Sequence, residues 1–372
     1  MRIGIDCRTI LSPGKGEQAG VGHYTTYLVR NLLALDTKNE YVLFFDYRVT
    51  SIKEFERPNV RIQYFPFSQY KRYLPIAYSH MLISAYLARY KLDVYHSPAN
   101  PIALLYGGPS VLTVHDLAIY HNPDWFPGYQ KFSTRVLVPR SIRKARRIIA
   151  VSEFTRNDVS KIFRVPKRKI VVIPEGVIRE RSQFSGERIR RRYHLKKRYA
   201  LFVGTIEPRK NLTKLVEAFK FFLTDKANTH PDDFQLVLAG AQGWKQEHVF
   251  KYIKSLRMSR SVRYLGYVPH AHKIALIKHA ACFVFPSLYE GFGLPVLEAM
   301  SQGVPVITSD VSSLPEVVGN GAVLMDPRKT TDMTQALKAV LLNPSYATGV
   351  AKLGLERSKQ FSWRKAAEQT LG

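Results

Sequence analysis

The sequence predicts an α/β protein made of two Rossmann-like, doubly wound parallel-sheet domains in tandem. Three observations carry that expectation. Short apolar runs alternate with amphipathic stretches along the chain, the pattern of strand, crossover helix and strand. The pattern restarts after Arg198, as a second sheet requires. At 372 residues the chain has material for two cores.

Taken in order, the strands expected first are Arg2–Asp6, Tyr41–Phe45, Val60–Tyr64, Val94–His96, Ser110–Val114, Arg147–Val151 and Ile170–Ile173. The second series is Tyr199–Val203, Gln235–Ala239, Val262–Leu265, Cys282–Phe285, Val304–Thr308 and Ala322–Met325. Helical patterns such as Leu212–Leu223 and Ile274–His279 separate them. The boundaries drawn from this are 1–180 for the first domain, 181–357 for the second and 358–372 for a final helix. The charged stretch Arg179–Arg198 reads as the linker. Ligands of such sheets bind beyond the carboxyl ends of the strands, and two facing domains would place them in the cleft between.

Composition narrows the class. An apolar fraction of 45% is ordinary for a globular protein. The two cysteines, Cys7 and Cys282, each fall in an apolar strand, so they read as buried thiols of a reducing compartment. Met1 to Asp6 reads as a strand and lacks the apolar core of a signal peptide. Apolar runs stay short of 18 residues, so no span is expected. The net charge of +27 is concentrated: Arg140 to Arg198 holds 20 Lys/Arg against 5 Asp/Glu. That belt admits three readings: a solvated face, attraction to an anionic membrane, or nucleic-acid binding. The aromatic–cation interleaving from Tyr64 to Pro75 favours the membrane. A recognisable nucleic-acid module is missing, so no nucleic acid is expected as partner.

The stretch from Ser287 to Glu298 carries the most chemistry. Glu290 and Glu298 stand eight positions apart around Gly291, Phe292, Gly293 and Leu294, between the apolar run Cys282–Phe285 and a helical pattern from Pro295 to Met300. That is strand, tight loop, helix. Pro295 suits the first helical turn, where its missing N–H costs nothing. Free amides at the helix start favour a phosphate. Carboxylates on either side can grip hydroxyls. Together they describe a sugar nucleotide. The same domain opens with Glu207-Pro208-Arg209-Lys210-Asn211 after a strand, where Arg209 and Lys210 can neutralise a diphosphate.

Other positions add support. Gly20 and Gly22 follow the first strand and permit close backbone approach to phosphates. His115 ends a strand and either faces the ligand or is a satisfied structural histidine, with Asp116 either orienting its ring or capping a turn. Ser152 reads as a helix N-cap. The backbone at Tyr267 and Val268, just past a strand, can hydrogen-bond a nucleobase. The histidines show no metal-ligand spacing, and an aspartate-rich metal motif is missing, so no metal is expected.

These residues resemble the retaining glycosyltransferases of family 4. The resemblance rests on the early Gly-x-Gly, Val-His-Asp-Leu at Val114–Leu117, Val-Ser-Glu-Phe-Thr at Val151–Thr155 and Val-Ile-Pro-Glu-Gly-Val at Val172–Val177. Most specific are Glu-Pro-Arg-Lys-Asn and Glu-Gly-Phe-Gly-Leu-Pro with its second Glu. It runs from Met1 to about Trp363. It implies the GT-B fold: two facing Rossmann-like domains with an interdomain cleft, the first on the acceptor side, the second binding the nucleotide sugar, and a last helix crossing back. By match, Arg209 and Lys210 would bind the donor diphosphate, Glu290 the sugar hydroxyls and Glu298 the ribose. Phe292, Gly293 and Leu294 would offer amides. His115 would sit beside the anomeric carbon, and Gly20 and Gly22 near the phosphates. Two departures stand out: Thr205 where many members carry arginine, and Glu175 where many carry asparagine.

The implied activity is metal-independent transfer of a hexose from a nucleotide sugar, with mannose from GDP-mannose as first choice, to a saccharide or lipid-linked saccharide. The expected setting is cell-surface polysaccharide synthesis at the inner face of the membrane. The only cofactor expected is that co-substrate. The alternatives are a sugar-nucleotide epimerase or phosphorylase on the same architecture and, from another class, a basic nucleic-acid-binding protein. The sequence is silent on oligomeric state.

Overall fold

A computed structural model describes residues 1–11, 20–49, 51–65, 76–99, 101–103, 105–128 and 133–372. The chain divides into two compact units. One comprises Met1–Gly176 with Trp363–Gly372, the other Val177–Ser362.

The first unit is built on seven strands: β1 (Arg2–Asp6), β2 (Glu40–Asp46), β3 (Val60–Phe65), β4 (Val94–Ser97), β5 (Ser110–Val114), β6 (Arg147–Ala150) and β7 (Ile170–Val172). Their order is β3-β2-β1-β4-β5-β6-β7, all parallel. The second unit carries β8 (Arg198–Val203), β9 (Phe234–Ala239), β10 (Val262–Tyr264), β11 (Cys282–Phe285), β12 (Val306–Ser309) and β13 (Val323–Met325). Their order is β10-β9-β8-β11-β12-β13, again parallel. Each expected strand is present, shifted by at most two residues at an end. The strands are apolar because both faces of a parallel sheet are covered by helices. In both units the order reverses at one point, between β1 and β4 and between β8 and β11, and such switch points open a crevice at the carboxyl edge.

Each unit has its own core. Phe44, Phe65, Tyr95, Leu112 and Ile148 belong to the first. Phe202, Phe219, Phe222, Phe234 and Phe285 belong to the second. Cys7 and Cys282 are buried free thiols. The helix Trp363–Leu371 belongs to the first unit, where the Trp363 ring stacks on Tyr27 at 5.5 Å and meets Tyr24 edge-on at 5.7 Å.

Two expectations are corrected. The charged stretch Arg179–Arg198 is no linker: it holds the helix Gly186–Tyr193, and Ile189 is fully buried in the second core. Its charge hid one apolar anchor. Gly22 is no loop glycine, because the helix Val21–Leu35 begins ahead of it; Gly20 alone caps that helix, at φ 58°. Of the aromatic–cation segment, Tyr64 is half-exposed and Phe65 stacks on Phe44, while 66–75 lie outside the described residues.

Candidate active site

Strands β8 and β11 are neighbours and parallel, so the loops leaving them share one edge of the second sheet. That placement brings together residues 80 positions apart. The loop after β8 runs through Glu207 into a short turn, Pro208–Lys210, and then through Asn211, at φ 57°, into the helix Leu212–Thr224. The Leu288 amide donates to the Arg209 carbonyl at 2.9 Å and ties the two loops.

Four charged side chains interlock there. Arg209 donates through Nη1 to Glu290 Oε2 at 3.0 Å and to the Tyr289 carbonyl at 2.9 Å. Its Nε and Nη2 reach Glu207 Oε1 at 3.1 and 2.9 Å. Lys210 Nζ donates to Glu290 Oε1 at 2.5 Å and lies 4.8 Å from the centre of the Phe285 ring. All four are largely buried. Burial opposes ionisation of Glu290, but Arg209 first and then Lys210 outweigh it and hold the carboxyl below its usual range. Lys210 is pulled below the usual ammonium range by burial and by the like charge of Arg209, against Glu290 and Glu207. The two directions agree: the carboxylate lies between two cations, whereas the ammonium shares its partner with a guanidinium.

The second carboxylate stands apart. Gly293 caps the helix Leu294–Ser301 at φ 106°, with Pro295 in its first turn. A Cβ at Gly293 would sit 2.7 Å from Leu314 Cδ2, so the position requires glycine on two counts. Glu298, one turn further, accepts from Lys273 Nζ at 2.7 Å and takes no part in the Glu290 pairing. The Glu290 loop is pinned from behind by Ser312, whose Oγ accepts from the Glu290 amide at 3.0 Å. Ser313 Oγ donates to the carbonyls of Glu290 and Phe292 at 3.0 and 3.2 Å. Tyr267 is exposed and Val268 buried, both past the end of β10, the edge strand two places from β8.

In the first unit, His115 follows β5. Its Nδ1 faces Glu175 Oε1 at 3.0 Å and its Nε2 faces the Pro98 carbonyl at 2.8 Å. The Tyr24 ring meets it edge-on at 4.6 Å. Asp116 Oδ1 accepts from the Ala118 amide at 3.1 Å, which is the turn cap; Glu175 orients the ring. Burial pulls the His115 pKa down, yet the Glu175 hydrogen bond and charge, with the Pro98 carbonyl, bring the net result above the ordinary value. Ser152 caps its helix by accepting from the Thr155 amide at 3.0 Å. Among the described residues, no group of three or more His, Cys, Asp and Glu is placed to hold a metal ion.

Sequence reasoning missed Glu207 and Lys273 as partners, and has Ser312 and Ser313 only within the stretch Ser309–Glu316, read as a loop into a short helix packing around the donor pocket. For Glu207 the signal was present, two residues before Arg209 in the same motif. For the others only packing across elements shows the pairing.

Comparison with known proteins places this geometry. Residues 186–357 match the model for glycosyl transferases group 1, and residues 19–181 match that for glycosyltransferase family 4. The O-antigen chain mannosyltransferase B of Escherichia coli is 34% identical over 291 residues, covering 77% of this chain and 74% of the relative. The chain belongs to the family 4 glycosyltransferases. Among solved structures, this glycosyltransferase is similar to sucrose-phosphate synthase from Thermosynechococcus elongatus, with TM-score 0.77, 21% identity and coverage of 99% and 97% of the two chains. It is also similar to Anabaena HepE in complex with UDP and glucose, with TM-score 0.75, 17% identity and coverage of 100% and 98%. Those likenesses identify the glycosyltransferase as a GT-B fold.

Proposed function

We propose that this glycosyltransferase moves a hexose, mannose from GDP-mannose in the first instance, to a saccharide or lipid-linked saccharide in cell-surface polysaccharide synthesis. The observation that carries the site is the buried Glu207–Arg209–Glu290–Lys210 cluster at the adjoining carboxyl ends of β8 and β11. The mannosyl choice leans on the similar O-antigen mannosyltransferase. Arg209 and Lys210 take the donor diphosphate and Glu290 the hydroxyls of the transferred sugar. Glu298 takes the ribose, the amides of Phe292, Gly293 and Leu294 the sugar or phosphate, and the backbone at Tyr267 and Val268 the base. Gly20, Gly22 and His115 enter this reading from their places after β1 and β5 and from the family pattern.

The chemistry follows from charge. As the bond between the anomeric carbon and the phosphate oxygen breaks, its electron pair goes to the diphosphate. Fixed cations and helix amides stabilise that charge without a resident metal. The acceptor hydroxyl attacks the same face, its oxygen bonds to the anomeric carbon, and its proton passes to the departing phosphate oxygen, so configuration is retained. Burying four charges costs stability, and the cluster is tolerable because each charge is paired. What it supplies is cations already oriented before the donor arrives.

The test is transfer from a panel of GDP-, UDP-, dTDP- and ADP-sugars by wild type, Lys210→Ala and Glu290→Gln. Each variant is expected to lose about 100-fold or more in turnover while keeping its circular dichroism spectrum. Near-normal turnover in both removes the site assignment. A preference for another donor removes the mannosyl reading alone.

A further inference from the structure

The structure gives Glu175, the residue where many members of the family that the sequence resembles carry asparagine, a partner. The His115 ring lies between two acceptors. Nδ1 faces a carboxylate and Nε2 faces a backbone carbonyl, which has no proton to give. A neutral imidazole has one N–H and one lone pair, so beside an ionised Glu175 either tautomer of it would set a lone pair against one of these oxygens. A ring that donates from both nitrogens satisfies both. Asp116, adjacent in sequence, adds a negative charge that favours the protonated ring. A neighbouring base among the described residues is His96 on β4. Burial first, then the His115 charge, push it down to about 4, so it stays neutral and pairs with the Thr113 hydroxyl at 2.9 Å.

We propose that Glu175 is a positioning residue that holds His115 as an imidazolium, so that this transferase presents a fixed cation at His115 instead of a proton acceptor. The ring ties the segments that follow β4, β5 and β7 at one edge of the first sheet. It has no lone pair left for base chemistry. Its charge is of the sign that stabilises a departing diphosphate. That catalytic consequence rests on the proposed function; the charge state does not.

The experiment uses the full chain with labelled histidine. Ring nitrogen shifts are followed by NMR against pH in wild type, Glu175→Gln and Glu175→Asp, with His115→Gln assigning the signal. In wild type both His115 nitrogens are expected to be protonated at neutral pH. Glu175→Gln keeps the shape, and its His115 midpoint should fall by about 1–3 pH units. Glu175→Asp should restore part of the shift. Turnover of Glu175→Gln is expected to drop about 10- to 100-fold, the loss seen when carboxylates that orient metal-bound imidazoles are removed. The loss should narrow at acid pH, where the ring regains its proton. A neutral His115 in wild type, or an unchanged midpoint in Glu175→Gln, overturns the proposal. Wild-type turnover across the pH range in Glu175→Gln overturns its catalytic part. If the NMR result holds while Lys210→Ala stays active, the failure lies with the function assigned above.

Discussion

Glu290 shows how a single residue can be decided by its neighbours. A lone buried carboxylate would take up a proton, because desolvation penalises charge. Here two cations reach its two oxygens and keep it ionised. A carboxyl with a depressed folded pKa contributes stability that is complete above its unfolded value, 4.5, and lost as pH falls through the lower folded one. Removing one cation should therefore bring acid unfolding on earlier. Lys210→Ala is expected to shift the acid midpoint upward, read by circular dichroism on titration from neutral pH. A midpoint that stays put would mean that Arg209 alone sets the Glu290 charge. Two histidines make the same point with opposite signs. His96 lies on β4 and His115 just past its neighbour β5, yet burial pulls the first pKa down while Glu175 brings the second up.

At the scale of elements, the turn into the helix Leu294–Ser301 depends on one backbone angle. Gly293 sits at φ 106° with Leu314 close behind it. Gly293→Ala is expected to cost on the order of 1–3 kcal/mol in the second unit, since a side chain there is both strained and crowded. Thermal unfolding measures it. Turnover should fall by more than stability explains, because the amides of the turn move with it. A melting temperature within a degree of wild type would show that the turn relaxes freely. The helix Gly186–Tyr193 makes a different point: Ile189, buried, with Tyr193 packed against the same core, docks a turn and a half of arginines. Periodicity is weak over so few positions, which is why the stretch reads as a linker.

Across the whole molecule, charge is the property that exceeds what the fold needs. No helix among the described residues is long and apolar enough to cross a membrane. Arg143, Lys144, Arg146 and Arg147 are exposed on the first unit, and Arg188, Arg191, Arg192 and Lys197 on the second. Near an anionic leaflet each such cation contributes about 1 kcal/mol, screened by salt. The seat at the inner membrane face expected from the sequence then predicts retention on anionic liposomes at low salt and release at high salt. Co-sedimentation reads it, and absence of retention at either salt removes the membrane from the reading.

The strands were legible in the chain because a covered parallel sheet demands apolar runs of fixed length, and each run betrays its place locally. The pairing of Arg209 and Lys210 with a carboxylate loop was legible as chemistry, since both motifs follow strands and must leave at the carboxyl edge. Who pairs with whom was not. Glu290 takes both cations and Glu298 takes Lys273 because β8 lies beside β11 and the following helix turns the second carboxylate aside. Glu175 reaches His115 because β5 and β7 flank β6. Strand order is a long-range property set by how helices and sheet pack, and residues 60 or 80 positions apart carry no local mark of it.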